Sequence, residues 1–220
     1  MTVEVRGLTK KIHGTTVLAD IDMTAQPGTI VGIRGINGSG KTMLLRSIAG
    51  FIKPTTGTVV IDGKELWRDL DFPESIGILI ENPAFLGAYS AFDNLRLLAS
   101  IKGAIDQDAL KDCTASVGLD PASRKKYRKF SLGMKQRLGI AAAIMEQPDI
   151  ILLDEPNNAL DLDGIALLKD LLLKEKERGA SILLACHDNE FLQEVADEVF
   201  FLDAGRIVGH TEKMTSDGLS

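Results

Sequence analysis

The sequence has no long hydrophobic run. Its most continuous aliphatic stretches, residues 150–153 and 182–185, are short, whereas a membrane-spanning helix needs about 20 consecutive apolar residues. The chain opens with alternating residues 1–6 rather than with a basic segment followed by an apolar one, so no secretory signal is expected. The protein is therefore predicted not to insert directly into a membrane.

An excess of positive charge is also missing, and cysteines are few. The 25 lysines and arginines are outnumbered by 31 aspartates and glutamates, for a net charge of −6, so no nucleic-acid partner is expected. The two cysteines, Cys113 and Cys186, lie in apolar segments without metal-ligand spacing. We interpret them as reduced, buried residues of a cytosolic protein.

The most informative segment that is present is residues 35–42, Gly-Ile-Asn-Gly-Ser-Gly-Lys-Thr. It matches the G-x-x-x-x-G-K-[ST] loop that wraps the phosphates of a nucleoside triphosphate. Glycines allow tight turns in which backbone N–H groups point inward at an anion. Lys41 can then reach the β- and γ-phosphates, and the Thr42 hydroxyl can ligate Mg²⁺.

The flanks of this loop have the composition that its function requires. Residues 30–33 are typical of a short buried strand, and residues 43–49 of a helix whose N-terminus faces the phosphates. The chain is therefore predicted to bind ATP or GTP. The predicted nucleotide contacts in this segment are Gly35, Asn37, Gly38, Ser39, Gly40, Lys41, Thr42 and Met43.

A second chemical segment follows far along the chain. Four aliphatic residues, 150–153, precede Asp154 and Glu155, and adjacent strand residues point to opposite sides, which predicts different roles for the two acids. Asp154 is predicted to hold the Mg²⁺ shell, and Glu155 to polarise the water that attacks the γ-phosphate. His187 follows the next apolar strand, at the edge where α/β sheets bind ligands, and is predicted to contact the γ-phosphate.

The order of patterns predicts an α/β fold. Residues 2–34 and 57–62 are strand-like, residues 91–147 are helical, and strands and helices alternate from residue 149 onward. A single domain of this length is expected, with a nucleotide-binding core and an antiparallel β lobe at about residues 1–83 and 136–210. The helical insertion is expected at about residues 84–135.

These features resemble the ATP-binding cassette (ABC) family, and the resemblance covers nearly the whole chain. In that family a segment usually spelled Leu-Ser-Gly-Gly-Gln precedes a helix; here residues 130–137, Phe-Ser-Leu-Gly-Met-Lys-Gln-Arg, occupy its place. Ser131 is a good N-cap, and the exposed N–H groups of such a helix start can clamp a γ-phosphate. The resemblance implies a head-to-tail dimer in which Ser131, Leu132 and Gly133 complete the ATP site of a partner subunit.

The resemblance also implies roles for single residues. Lys41, Glu155 and His187 would be catalytic, with Glu155 as the base and His187 as the switch histidine. Thr42, Asp154 and Glu81 would hold the metal. Residues 158–161, with Asp161, would cross the dimer interface, and His13 lies nearest to the position of the aromatic residue that usually stacks on adenine.

Two departures from the family pattern point to a subfamily. Glu81 stands where glutamine is usual, and the 131–136 segment has Leu132 in place of the glycine at its second position and Met134 in place of glutamine. With both departures, the chain resembles the subunits that export bacitracin, lantibiotics and similar peptides. An inactive, binding-only subunit is disfavoured because Glu155 and His187 are both present.

The resemblance implies a separate membrane permease and a position at the cytoplasmic face of a bacterial membrane. Residues 81–89 and the helical insertion would dock the permease, with Phe85, Leu86, Tyr89 and Phe92 as apolar anchors. The cassette partner could be an identical or a different subunit. The alternatives are a soluble, non-transport ATPase of this type, or a subunit for import or lipid extrusion.

Overall fold

The computed structural model describes residues 1–81, 84–103 and 105–213. A six-stranded sheet with the order β10-β9-β3-β8-β7-β6 forms its centre. All neighbours in this sheet are parallel except β9 and β10, which form an antiparallel hairpin. Its strands are β3 (Ile30–Arg34), β6 (Ile76–Leu79), β7 (Ile150–Asp154), β8 (Ser181–Cys186), β9 (Glu198–Asp203) and β10 (Arg206–Glu212).

A second sheet of four strands, ordered β2-β1-β4-β5, is antiparallel throughout. Helix α1 packs between the two sheets, and its Leu44, Leu45 and Ile48 share one apolar core with residues of both. This burial fixes the start of α1 against the central sheet. The strands are β1 (Val3–Ile12), β2 (Thr15–Ala25), β4 (Thr56–Ile61) and β5 (Lys64–Glu65), and α1 spans Lys41–Ile48.

The remaining helices begin at residues whose side chains cap them. Ser90, Asp106, Ser131, Asp161 and Asp188 each accept a hydrogen bond from a backbone N–H of the first turn, which satisfies donors that the helix itself leaves free. These helices are α2 (Ala91–Lys102), α3 (Gln107–Ser116), α4 (Leu132–Ile144), α5 (Leu162–Glu177) and α6 (Asn189–Val195), and Tyr127–Lys129 forms a 3-10 turn.

The predicted α/β class, with an antiparallel lobe and helices inserted before α4, is confirmed. Strand β6 has no continuous apolar pattern in the sequence, because Gly77 interrupts it. A Cβ on Gly77 would lie 1.7 Å from the Ala143 carbonyl, so only glycine lets α4 pack this closely. Strand β10 extends to Glu212 although its composition is polar, because pairing with β9 compensates for that composition.

The parallel strands bring the chemical segments together. β3, β7 and β8 are neighbours in the sheet, so the residues after their carboxyl ends converge at one edge. No helix within the described residues is long and apolar enough to cross a membrane.

Candidate nucleotide-binding site

The loop after β3 has the geometry of a phosphate cradle. A Cβ on Gly35 would lie 2.3 Å from Ser39 Oγ and 2.4 Å from the Leu202 carbonyl, so no side chain fits there. Gly38 and Gly40 have φ values of 83° and 111°, which glycine adopts without steric cost. The loop then leads directly into α1, whose N-terminal N–H groups favour an anion.

Lys41 lies inside this cradle. Its side chain is 6% exposed, and its ammonium donates to the Gly35 carbonyl at 2.7 Å and lies 3.3 Å from Glu155 Oε1. The loop's own carbonyl and an acid thus hold the cation where an anion would bind. Thr42 Oγ1 donates to Asp154 Oδ2 at 2.6 Å, so the two sequence segments form one site.

Asp154 has the environment of a metal ligand. It is 8% exposed, and its Oδ1 atom is buried without a hydrogen-bond partner in the described part of the chain. Burial raises the pKa of this carboxyl and the neighbouring Glu155 carboxylate raises it further, while the Thr42 hydrogen bond opposes the shift. A divalent cation would give the unpartnered oxygen its missing contact, so Asp154 and Thr42 fit Mg²⁺.

Glu155 turns sharply out of the strand. Its φ of 49° lies in the left-handed region, which is strained for a non-glycine residue and recurs at functional sites. A hydrogen bond from its N–H to the Ala185 carbonyl, at 2.7 Å, holds this turn. The carboxylate Oε2 lies 2.7 Å from His187 Nδ1, and the His187 side chain is 55% exposed. The two acids therefore have different partners: Asp154 accepts from Thr42, whereas Glu155 lies next to Lys41 and His187.

A cleft of about 460 Å³ is lined by Lys41, Thr42, Asp154 and Glu155. Segments without any recognisable motif also line it, namely residues 15–17 of β2 and the β9–β10 turn at Ala204 and Gly205. The turn is fixed by a hydrogen bond from Gly205 N–H to the Ser39 carbonyl at 2.8 Å. No sequence pattern identifies these residues, because tertiary packing alone brings them here. The predicted residues that line the cleft are Asn37, Gly38, Gly40, Lys41, Thr42, Met43, Asp154 and Glu155.

Five predicted contacts are not among the residues that line this cleft: Gly35, Ser39, His187, His13 and Glu81. His13 is exposed in the turn between β1 and β2 and does not line the cleft, so its stacking on adenine stays a prediction. Glu81 forms an ion pair with Arg46 of α1, with an N–O distance of 2.6 Å. Its role as a metal ligand also stays a prediction, because that role requires Arg46 to release the carboxylate. Residues 82 and 83 of the predicted docking segment lie outside the described residues.

Ser131, Leu132, Gly133 and Asp161 line a second cleft, of about 730 Å³. None of the residues that line it also lines the first cleft. Ser131 Oγ caps α4 by accepting from Met134 N–H at 3.2 Å. A Cβ on Gly133 would lie 2.7 Å from the Ala159 carbonyl. The 131–133 segment therefore packs directly against the loop that follows Glu155, yet opens away from the phosphate cradle of its own chain.

Two side chains that sequence analysis did not identify connect α4 to this loop. Gln136 Nε2 donates to the Glu155 and Pro156 carbonyls at 3.0 and 3.2 Å. Arg137 donates to Asp161 Oδ1 at 2.7 Å, and together with the Gly164 N–H it lowers the pKa of the Asp161 carboxyl. No local sequence pattern marks either residue, since each acts on a segment about 20 residues away.

Burial raises the pKa of both cysteine thiols to about 12. A thiol with such a pKa stays protonated at neutral pH and is a poor nucleophile. Cys186 is fully buried next to His187, and its Sγ contacts Asn157 Oδ1 at 3.2 Å. Both cysteines therefore behave as packing residues, with Cys186 buried as predicted and Cys113 only partly buried.

Asp154→Asn is expected to stabilise the nucleotide-free protein. Because the pKa of Asp154 is raised in the folded state, its ionised form opposes folding above that pKa, and the penalty fades as the pH falls. An amide removes the charge, so we expect a gain of about 1 kcal/mol, or about 2–4 °C in thermal midpoint. The same variant should lose the further stabilisation by Mg-ATP. Thermal unfolding with and without Mg-ATP measures both, and a lower midpoint without nucleotide would contradict the electrostatic explanation.

The fold and the first cleft together define a class of protein. A parallel sheet with a glycine-rich phosphate loop, a lysine and a strand-end acid at one edge is a P-loop nucleoside triphosphatase. The sequence profile described as "ABC transporter" matches residues 18–158, and the chain belongs to this family. The resemblance inferred from residues 130–137 is thereby confirmed. Family membership supports nucleotide binding and ATP hydrolysis.

Characterised and uncharacterised relatives agree with this assignment. The chain is 49% identical over 205 residues to the uncharacterized ABC transporter ATP-binding protein YybJ of Bacillus subtilis, covering 93% of this chain and 94% of YybJ. It is 36% identical to the bacitracin transport ATP-binding protein BcrA of Enterococcus faecalis, covering 94% and 68%. It is 30% identical to the lantibiotic transport ATP-binding protein SrtF of Streptococcus pyogenes, covering 99% and 93%.

Solved structures match the fold over nearly the whole chain. An ATP-binding subunit of an ABC transporter superposes with a TM-score of 0.87 at 26% identity, covering 96% of this chain and 90% of the other. The ATP-binding cassette MJ0796, in a dimeric post-hydrolysis state bound to ADP and Pi, superposes with a TM-score of 0.82 at 26% identity, covering 96% and 98%.

Proposed function

We propose that this chain hydrolyses ATP to power a separate membrane permease, and that the transported substrate is an antimicrobial or similarly amphipathic peptide. The observation that carries the proposal is the division of the chemical groups between two clefts. The phosphate cradle, Lys41, Asp154 and Glu155 line one cleft, and residues 131–133 line the other. A site built from both clefts needs two chains, and ATP binding would then close a dimer.

Each residue of the first cleft has a role that its surroundings support. The loop N–H groups and Lys41 would bind the phosphates, and Thr42 and Asp154 would hold Mg²⁺, which neutralises phosphate charge when bound. Glu155 would accept the proton of the attacking water, and its contact with His187, at 2.7 Å, orients the carboxylate. The Lys41 ammonium lies 3.3 Å from the other carboxylate oxygen of Glu155, Oε1.

The second subunit would contribute Ser131, Leu132 and Gly133 to each ATP. Leu132 is 72% exposed on the free chain, as expected of a residue that a partner would cover. Asp161, held by Arg137, would lie at the same interface. MJ0796 is dimeric with ADP and Pi bound, which supports a dimer of cassettes here, with either an identical or a different subunit as the partner.

We further propose that the chain divides into a core with its β lobe, at about residues 1–83 and 136–210, and a helical subdomain at about residues 84–135. The subdomain and residues 81–89 would dock the permease at the cytoplasmic face of the membrane. Leu86 and Tyr89 are exposed and suit such a contact, whereas Phe85 and Phe92 pack partly into the chain's own core. Two of the four predicted anchors are therefore better explained by packing.

A peptide substrate is supported by the relatives BcrA and SrtF, whose names give bacitracin and lantibiotic transport. The test is to co-express the chain with a candidate permease in a bacterium that is susceptible to these peptides. The pair should co-purify and raise resistance to bacitracin or a lantibiotic. Glu155→Gln should keep the complex but lose the resistance. If the complex forms and hydrolyses ATP but the cells are no more resistant than cells without it, the proposed peptide substrate is wrong.

A further inference from the structure

The hairpin of β9 and β10 carries a cluster of metal-ligating side chains far from any motif. Glu198, His210 and Glu212 each offer one ligand atom, and these atoms all lie within 4.8 Å of one another. Glu198 lies at the start of β9, and the other two lie near the end of β10. The cluster therefore occupies the open end of the hairpin, away from the Ala204–Gly205 turn that lines the nucleotide cleft.

The strand register explains why these three side chains meet. Glu212 pairs directly with Glu198, and His210 pairs with Phe200, so all four side chains project from the same face of the ladder. The His210 ring stacks on Phe200 with centroids 4.3 Å apart and planes 19° from parallel. This stacking fixes the ring plane, and Nε2 lies 2.9 Å from Glu198 Oε2.

The negative charge of the two glutamates in this cluster is not fully neutralised by neighbouring cationic side chains. Two carboxylates directly opposite each other on a ladder repel, and the Glu198 side chain is only 20% exposed. Within the described residues, Glu198 pairs only with His210, and Glu212 forms no ion pair. The nearby lysines are engaged elsewhere: Lys176 pairs with Asp197, and Lys213 donates to the Glu194 carbonyl.

We propose that Glu198, His210 and Glu212 bind a divalent transition-metal ion of the Zn²⁺ type. One imidazole and two carboxylates are a donor set that Zn²⁺ accepts, with bonds of about 2.0–2.2 Å and a remaining position for water. Ligand atoms around one such ion lie at most about 4 Å apart. The three ligand atoms lie within 4.8 Å of one another, so the exposed Glu212 side chain would have to move by less than about 1 Å to reach that range. The ion would close the open end of the hairpin and relieve the repulsion between the carboxylates.

The test uses the full chain, with any purification tag removed, after treatment with a chelator. Zn²⁺ is titrated calorimetrically, and Co²⁺ is titrated by its visible absorption. One ion should bind per chain, and Glu212→Gln and His210→Ala should each weaken binding at least about tenfold. Glu212→Gln keeps the shape of an exposed side chain, so it separates loss of a ligand from misfolding.

His187→Ala is the matched control, because His187 also lies beside a glutamate, namely Glu155, which lines the nucleotide cleft. It should leave this metal binding unchanged. As a second readout, Zn²⁺ should slow amide hydrogen exchange in residues 206–212 of the wild type but not of Glu212→Gln. The proposal is overturned if the wild type binds no Zn²⁺ up to millimolar concentration. It is equally overturned if both ligand variants bind like the wild type, or if His187→Ala is the variant that loses the ion.

Discussion

Glu155→Gln is expected to slow Mg-ATP hydrolysis by about 100- to 10,000-fold, the usual contribution of a positioned general base. The amide has the same shape as the carboxylate but cannot accept the proton of the attacking water. Its neighbours remain, since Lys41 still donates to the Gly35 carbonyl and Thr42 still donates to Asp154. ATP binding should therefore survive the substitution, and ATP-bound dimers should accumulate because hydrolysis no longer separates them.

Single-turnover hydrolysis and size-exclusion chromatography with ATP measure the two effects. Glu190→Gln is the matched control, because it makes the same chemical change on an exposed residue of α6, close in sequence to His187. That variant should hydrolyse ATP like the wild type and form no trapped dimer. If Glu155→Gln hydrolyses ATP at the wild-type rate, Glu155 is not the general base. If ATP-bound dimers accumulate although the rate of hydrolysis is unchanged, Glu155 acts in dimer opening instead.

Those parts of the site that lie in continuous segments could be predicted from the sequence. Residues 35–42 and the pair Asp154–Glu155 are contiguous sequence motifs whose residue types indicate their chemical roles. A short aliphatic run, typical of a buried strand, precedes each motif. Parallel pairing of β3, β8 and β7 then brings the segments together. Such a pattern also predicts the class of fold, because βα alternation leaves few arrangements of a parallel sheet.

Contacts made by single side chains across the fold could not be predicted in this way. Gln136 and Arg137 look like ordinary polar positions of a helix, and only the packing of α4 against the loop after Glu155 gives them partners. The pairing of Glu81 with Arg46 likewise depends on where α1 lies. The left-handed backbone of Glu155 is another example, since a strand pattern predicts an extended residue there.

Gly133→Ala is expected to lower hydrolysis by about 100-fold, comparable to the loss of a hydrogen-bond donor that stabilises transition-state charge. The added Cβ would lie 2.7 Å from the Ala159 carbonyl, so the 131–133 segment must shift away from the loop that supports it. Because this segment does not line the chain's own nucleotide cleft, binding of ATP to the isolated chain should be unchanged. Gly87→Ala is the matched control in assays without a permease, as its Cβ would lie 3.5 Å from Arg128 Cβ, an ordinary contact.

Mixing the two inactive variants tests whether each site is shared between chains. In a dimer of Glu155→Gln with Gly133→Ala, one site carries both substitutions. The other site combines the intact Glu155 of one chain with the intact Gly133 of its partner.

Equal amounts of the two variants, mixed before ATP is added, should therefore regain up to about a quarter of wild-type activity if the chains pair at random. If each site belonged to a single chain, every site would carry a substitution and the mixture would remain inactive. Recovered activity therefore assigns the two clefts to one composite site, whereas an inactive mixture of proven heterodimers would contradict the head-to-tail arrangement.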